Sequence, residues 1–174
     1  MKRADKTVYL VLGLLLAALL ASALFSRNGM ELKRALGENH KFQIRLEGET
    51  VATVGLQDLL DMEPKEFTTT LATSISAPRG VTLKGVELRE LLAALDIDTS
   101  QARYFIFSGL DGYYSPLSRG EVEKAESIYI CLAMDGELLK PVDEGGFGPF
   151  MMVIRGARFA QRWCKYVEAV DIKK

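Results

Sequence analysis

The sequence predicts a mixed α+β domain of β-sheet with short helices, preceded by one N-terminal transmembrane helix. Three observations carry this expectation. A charge-free apolar run stands near the start, at residues 7–25. From residue 42 onward, alternating or β-branched stretches recur between turn signals. Helical stripes of two to three turns interrupt those stretches without regular βαβ alternation.

The apolar run is TVYLVLGLLLAALLASALF. At about 1.5 Å per residue it reaches roughly 28 Å, close to the hydrocarbon thickness of a bilayer. Lys2, Arg3 and Lys6 precede it, so the positive-inside rule keeps residues 1–6 in the cytoplasm and exports the chain beyond Phe25. Ala21-Ser22-Ala23 also has the form of a small-residue cleavage site, and cleavage would release a periplasmic or secreted domain. The run exceeds the usual signal-peptide core, which favours an uncleaved, single-pass anchor in the cell membrane. The organisation expected is therefore a cytoplasmic 1–6, a membrane anchor 7–25, a polar juxtamembrane linker 26–41 and an extracytoplasmic domain 42–174.

Within that domain, FQIRLEGETVATV alternates at Phe42, Ile44 and Leu46, turns at Glu47-Gly48-Glu49 and returns as a hairpin. LQDLLDM places Leu56, Leu59 and Leu60 on one helical face before Pro64. KEFTTTLATS is β-branched and reads as a strand. In VTLKGVELRELLAALDI, Leu88, Leu91, Leu92 and Leu95 form an i, i+3, i+4, i+7 helical stripe. A strand comes next at Tyr104–Phe107, stops at a small-residue break and resumes after Asp111-Gly112, a strong hairpin signal. Ser118 and Glu121 have capping-box spacing and start a short helix through Ala125. SIYICLAM is a strand, Asp135-Gly136 a second turn, and EGGFGPFMMVI a glycine-rich loop feeding a buried strand. RWCKYVEAVDI ends the chain as a strand with a short final element.

Composition narrows the function. The formal net charge is −1, so bulk charge does not point to nucleic acid. The single histidine, His40, lies in the polar linker, away from any serine or cysteine it could activate. Neither a Walker loop nor a dinucleotide fingerprint is present. Cys131 and Cys164 either bridge in an oxidising compartment or stand as small core residues. Together with one histidine they cannot make a usual structural zinc site.

Several stretches admit both a structural and a binding reading. Asp111-Gly112-Tyr113 is a turn that could also aim Asp111 and Tyr113 into a pocket. Gly145, Gly146 and Gly148 either tighten a loop before a core strand or let its amides approach a ligand. Arg155, Arg158, Arg162 and Lys165 form either a solvated basic edge or a site for an anionic or planar polar ligand.

Taken in order, LKGVELRELL, SGLDGYYSPLS, MDGELL, GGFGPFMMVI and RWCKYVEAVDI resemble the sulfite-oxidase-type molybdopterin-binding domain family over roughly residues 42–172. The resemblance implies a sulfite-oxidase-like mixed β-sheet fold and a pterin or molybdopterin ligand. It places Asp111, Tyr113, Arg79 and Arg158 at the ligand, with backbone amides near Gly146 and Gly148. Catalytic members bind molybdenum through a cysteine thiolate after the third strand. Here that stretch reads LATSISAPRG, with Thr73, Ser74 and Ser76 and no cysteine, and a hydroxyl is a poor substitute for a soft thiolate. The terminal Lys-Trp pair appears as Lys165-Tyr166, with Trp163 displaced. Cofactor-contacting histidines of the family are absent too.

The expectation is thus a membrane-anchored, non-catalytic sensor or carrier that binds a small heterocycle without molybdenum. A membrane protein would be its partner. A molybdopterin-dependent oxidoreductase and an interaction domain with an empty pocket are the alternatives.

Overall fold

A computed structural model describes residues 40–72, 77–141, 144–157 and 160–174. The apolar run 7–25, Thr73, Ser74, Ser76 and Arg158 lie outside the described residues. Among those described, no helix is long and apolar enough to cross a membrane.

The body at His40–Lys174 is built from two sheets. The first opens with the hairpin β1 (Lys41–Leu46) and β2 (Glu49–Gly55), turning through Glu47 and Gly48, both at positive φ. Helix α1 (Leu56–Asp61) comes next, burying Leu56 and Leu59, with the Gly55 amide donating to Asp58 Oδ2 at 2.7 Å. Strands β3 (Lys65–Leu71) and β4 (Arg79–Glu87) then pair antiparallel, Phe67 opposite Leu83. The nine-residue β4 lies in a stretch whose sequence offered only the helical stripe beyond it. Its Gly85 is why the pattern blurs: a Cβ there would sit 2.5 Å from the Ile130 carbonyl oxygen. Helix α2 (Leu88–Ala94) buries Leu88, Leu91 and Leu92. Leu95, expected to extend the stripe, is instead the C-cap and is exposed, because the helix ends one residue before it.

Strands β5 (Tyr104–Gly109) and β6 (Tyr114–Ser118) form the Asp-Gly hairpin. Helix α3 (Arg119–Glu123) starts where Glu121 Oε2 accepts from the Ser118 amide and hydroxyl at 2.9 and 2.8 Å. The fully apolar β7 (Ile128–Met134), the short β8 (Glu137–Leu138) and β9 (Met151–Ile154) complete the second sheet. A 3-10 turn at Ala160–Arg162 precedes β10 (Val167–Lys173).

The first sheet runs β2-β1-β10-β5-β6, with β1 parallel to β10 and the other pairs antiparallel. The second runs β3-β4-β7-β8, with β9 also on β7. The last strand therefore sits at the centre of the first sheet. Phe42, Ile44, Phe105, Phe107, Leu117 and Val170 are buried on that sheet, and Leu83, Val86, Ile130 and Met152 on the other. The Phe42 ring meets Phe150 edge-on, with centroids 5.2 Å apart, where the first sheet touches the lead into β9. Cys131 and Cys164 are both free, buried thiols.

Candidate functional site

The break that ends β5 has a steric cause. A Cβ on Gly109 would lie 2.6 Å from both Asp111 Oδ1 and the Lys165 carbonyl oxygen, so only glycine fits there. The chain then turns tightly. Gly112, at φ 79°, donates to the Gly109 carbonyl at 2.9 Å, and Gly109 donates to the Tyr113 carbonyl at 2.9 Å. Asp111 Oδ1 accepts the Tyr113 amide at 3.1 Å, an Asx-type turn that fixes the carboxylate.

This turn is tied to the segment between β9 and β10. Leu110 donates to the Tyr166 carbonyl at 3.0 Å, and the Tyr113 hydroxyl donates to the Gln161 carbonyl at 2.7 Å. Ser115 Oγ donates to the Arg162 carbonyl at 2.7 Å. Arg162 reaches back, donating to the Pro116 carbonyl at 2.9 Å and pairing with Glu121 at 2.7 Å. That guanidinium, together with the Ser118 groups, brings the Glu121 carboxyl down to about 2.

The two segments enclose a hollow of about 240 Å³. Asp111, Tyr113, Gln161, Trp163 and Lys165 line it, with Ala72 at the end of β3 on the remaining side. Its polar groups are poorly satisfied by the protein. Trp163 is 4% exposed, yet its indole N–H is buried and finds no acceptor among the described residues. An unanswered buried donor costs about 1–3 kcal/mol and calls for an explanation. Lys165 and Asp111 face the same hollow, but among the described residues neither joins an ion pair. The Lys165 ammonium instead stacks over the Phe147 ring, 4.2 Å from its centroid. Side chains of Asp111, Lys165, Trp163 and Tyr113 thus line one space, with the indole N–H of Trp163 buried behind it.

Of the six residues named from sequence, Asp111 and Tyr113 come together here. Arg79 opens β4 elsewhere, pairing with Asp135 at 3.0 Å and touching Met134 sulfur at 3.6 Å. It lines a second hollow of about 390 Å³ with Asp135, Lys140, Gly146 and Phe147. Gly146 and Gly148 close their loop onto Lys140 and Leu139. A Cβ on Gly146 would overlap the Lys140 carbonyl, and one on Gly148 would sit 2.5 Å from Leu139 Cβ. Their amides donate to the Pro141 and Lys140 carbonyls at 3.0 and 2.8 Å. Arg155 pairs with Glu126 and Arg162 with Glu121, so the described arginines of the C-terminal set are each answered by a separate acid.

The sequence did not single out Gln161; Lys165 stood there only within the C-terminal basic set, and Trp163 only as a displaced member of the terminal Lys-Trp pair. Trp163 is the chain's only tryptophan, but its burial depends on contacts far away in sequence.

These features locate a candidate pocket without naming a family. The family model for the oxidoreductase molybdopterin binding domain matches residues 30–174. The chain belongs to this family. Among solved structures, this molybdopterin-binding domain is similar to the sulfane dehydrogenase SoxCD from Paracoccus pantotrophus, with a TM-score of 0.63 at 17% identity. The match covers 78% of this chain and 38% of that one. The likeness establishes the sulfite-oxidase-like α+β fold. No curated protein sequence matches the chain.

The donor set in the hollow suits the planar polar ring of a pterin. It does not suit a thiolate-bound metal. Burial holds the Cys131 thiol well above the usual cysteine range, and burial with the nearby Asp111 charge pushes Cys164 up to about 12. The thiolate, not the thiol, is the metal ligand. Among the described residues, no cluster of three or more His, Cys, Asp or Glu side chains could hold a metal ion.

Proposed function

We propose that the domain binds a pterin or related flat heterocycle in the hollow beside Trp163 and performs no redox chemistry of its own. The observation that carries this reading is the buried indole N–H of Trp163, which has no acceptor among the described residues, set beside a carboxylate and an ammonium that join no ion pair among those residues. Tyr113 and Trp163 would offer ring surface, Asp111 an acceptor, and Trp163 and Lys165 donors. Arg79 and Gly146, in the neighbouring hollow, would contact a ligand large enough to extend past Phe147. The non-catalytic part of the proposal rests on Thr73, Ser74 and Ser76 standing where the catalytic relatives carry their cysteine, and on two thiols kept protonated by burial.

The proposal includes placement. Lys2, Arg3 and Lys6 before a charge-free run at 7–25 support a domain tethered outside the cytoplasm. There it would report ligand occupancy to a membrane protein. A reporter fused after Lys174 should be active only outside the cytoplasm, and cytoplasmic activity would refute the orientation.

Membership of an oxidoreductase family favours a second reading, a molybdopterin enzyme whose metal takes no thiolate from this chain. Molybdopterin with its metal supplies two-electron transfer chemistry when bound; Asp111, Tyr113, Trp163 and Lys165 would hold the organic part. Mass spectrometry of small molecules released from the natively exported protein, with metal analysis, separates the readings. A metal-free pterin supports binding alone, stoichiometric molybdenum supports the enzyme, and neither supports an interaction domain.

A further inference from the structure

A strand at the end of a sheet has backbone groups on its outer side, and an unprotected row of them pairs with other chains. Most edges of this domain are blunted. The β1–β2 ladder shifts register at Ile44, which bends β2. β6 contains Pro116, which has no N–H, and its carbonyl already accepts Arg162 Nη2 at 2.9 Å. β8 is two residues long, and β9 exchanges bonds with Cys164 through Met152 at 2.7 and 3.0 Å.

β3 is different. It ends the second sheet, pairs with β4 over seven residues without a register shift, and has neither proline nor charge from Phe67 to Leu71. The groups on its open side follow from β4. Thr82 turns both its backbone groups away from β3: its N–H donates to Asp135 Oδ1 at 2.9 Å, and its carbonyl accepts the Asp135 amide at 2.7 Å. Thr82 faces Thr68, so that pair exchanges no ladder bond and Thr68 directs its N–H and C=O to the open side. Bonded and non-bonded pairs alternate along an antiparallel ladder, so Glu66 and Thr70 do the same. Among the described residues nothing bonds to these groups.

We propose that β3 is a pairing edge for a second copy of this chain, joined antiparallel about a two-fold axis at Thr68. Thr68 then faces the partner's Thr68, and Glu66 faces the partner's Thr70. Each facing pair exchanges two backbone bonds, so every open group is answered. The charges fit as well. Glu66 meets a neutral threonine and lies 4.0 Å from Lys84 of its own chain, while threonine against threonine is a favourable cross-strand pair. A foreign peptide strand is read through pockets for alternate side chains. The alternate side chains here, Glu66, Thr68 and Thr70, stand exposed, which favours a matching copy over a peptide. The pairing holds whether or not the Trp163 hollow binds a ligand.

Cysteine trapping in the full-length chain tests the register. Facing residues of a bonded pair lie about 5.5 Å apart at Cα, within disulfide reach. Under mild oxidation Thr68→Cys should therefore give a covalent dimer of twice the chain mass. Glu66→Cys is equally exposed, but the two copies of that position would lie roughly 13 Å apart along the strands, so its yield should be at least about tenfold lower. The native thiols are buried, so the wild type sets the background. Equal trapping at both positions, no trapping at Thr68→Cys, or an adduct with the mass of another protein overturns the proposal. Thr68→Pro removes the N–H on the axis and none that bonds to β4, so sedimentation should show association weakened by about tenfold or more. Association unchanged in that variant overturns it as well.

Discussion

Two hollows lie on either side of the Lys165–Phe147 contact, and they differ in how their polar groups are answered. Around Arg79 the protein has answered its own groups. Asp135 pairs with the guanidinium, and it also accepts the Thr82 amide at 2.9 Å; that amide first, then Arg79, holds its carboxyl below the usual range. Gly146 and Gly148 bring their loop down onto Lys140 and Leu139. Around Trp163 the groups are left unanswered among the described residues, with a buried N–H lacking an acceptor and two opposite charges not joined to each other. A scaffold satisfies its polar groups, whereas a site keeps some unsatisfied until a ligand arrives. The smaller hollow is therefore the better candidate site, although the other is larger.

Substitutions can break or sharpen this contrast. The largest effect is expected at Gly109→Ala. The new methyl meets Asp111 Oδ1 and the Lys165 carbonyl, so stability should fall by about 1–3 kcal/mol and ligand affinity should fall with it. Denaturant unfolding and titration of the same variant measure both, and an unperturbed protein would mean the turn and the Lys165 strand lead are not in close contact. Tyr113→Phe comes next. It removes the bond to the Gln161 carbonyl that ties the hairpin to the 3-10 turn, so a stability loss of about 1 kcal/mol is expected. A melting temperature identical to wild type would remove that tie.

Arg79→Ala should do less. Its ion pair is exposed, worth about 0–1 kcal/mol, and affinity for a pterin confined to the Trp163 hollow should change less than about twofold. A tenfold loss would make the two hollows one site.

The smallest effect concerns acid. Glu121 has a carboxyl lowered to about 2, chiefly by Arg162, so its contribution is full above the ordinary glutamate range. It declines as pH falls toward 2. The pair is partly exposed, so solvent screening limits it to about 1 kcal/mol. The stability gap between wild type and Glu121→Gln should narrow between about pH 5 and pH 2. A gap that widens on acidification would exclude this ion pair as its source.

Local chemistry made much of the fold readable in advance. Alternation at Phe42, Ile44 and Leu46 marked β1, Asp-Gly marked the β5–β6 turn, and Ser118 with Glu121 marked the start of α3. β4 was hidden because its glycine serves contact with Ile130, a requirement set by a strand far away in sequence. The site was half legible for the same reason. Asp111 and Tyr113 announce themselves through a turn, a property of neighbouring residues. Trp163 and Lys165 become lining only when the segment before β10 is bonded to that turn through Gln161, Arg162 and Tyr166. Arg79 looked equally suited to a ligand in sequence, and only the folded chain reveals Asp135 beside it.

The central claim is that the buried, unanswered indole N–H of Trp163 marks the ligand site. The chain has one tryptophan, so its ¹H–¹⁵N spectrum contains one indole resonance, and no assignment is needed to follow it. Titrating 2-amino-4-oxopteridine into the ¹⁵N-labelled full-length chain should move that resonance downfield, as the N–H gains an acceptor, and slow its exchange with water. Saturable binding of the pteridine with the indole resonance unmoved would place the ligand elsewhere and contradict the account.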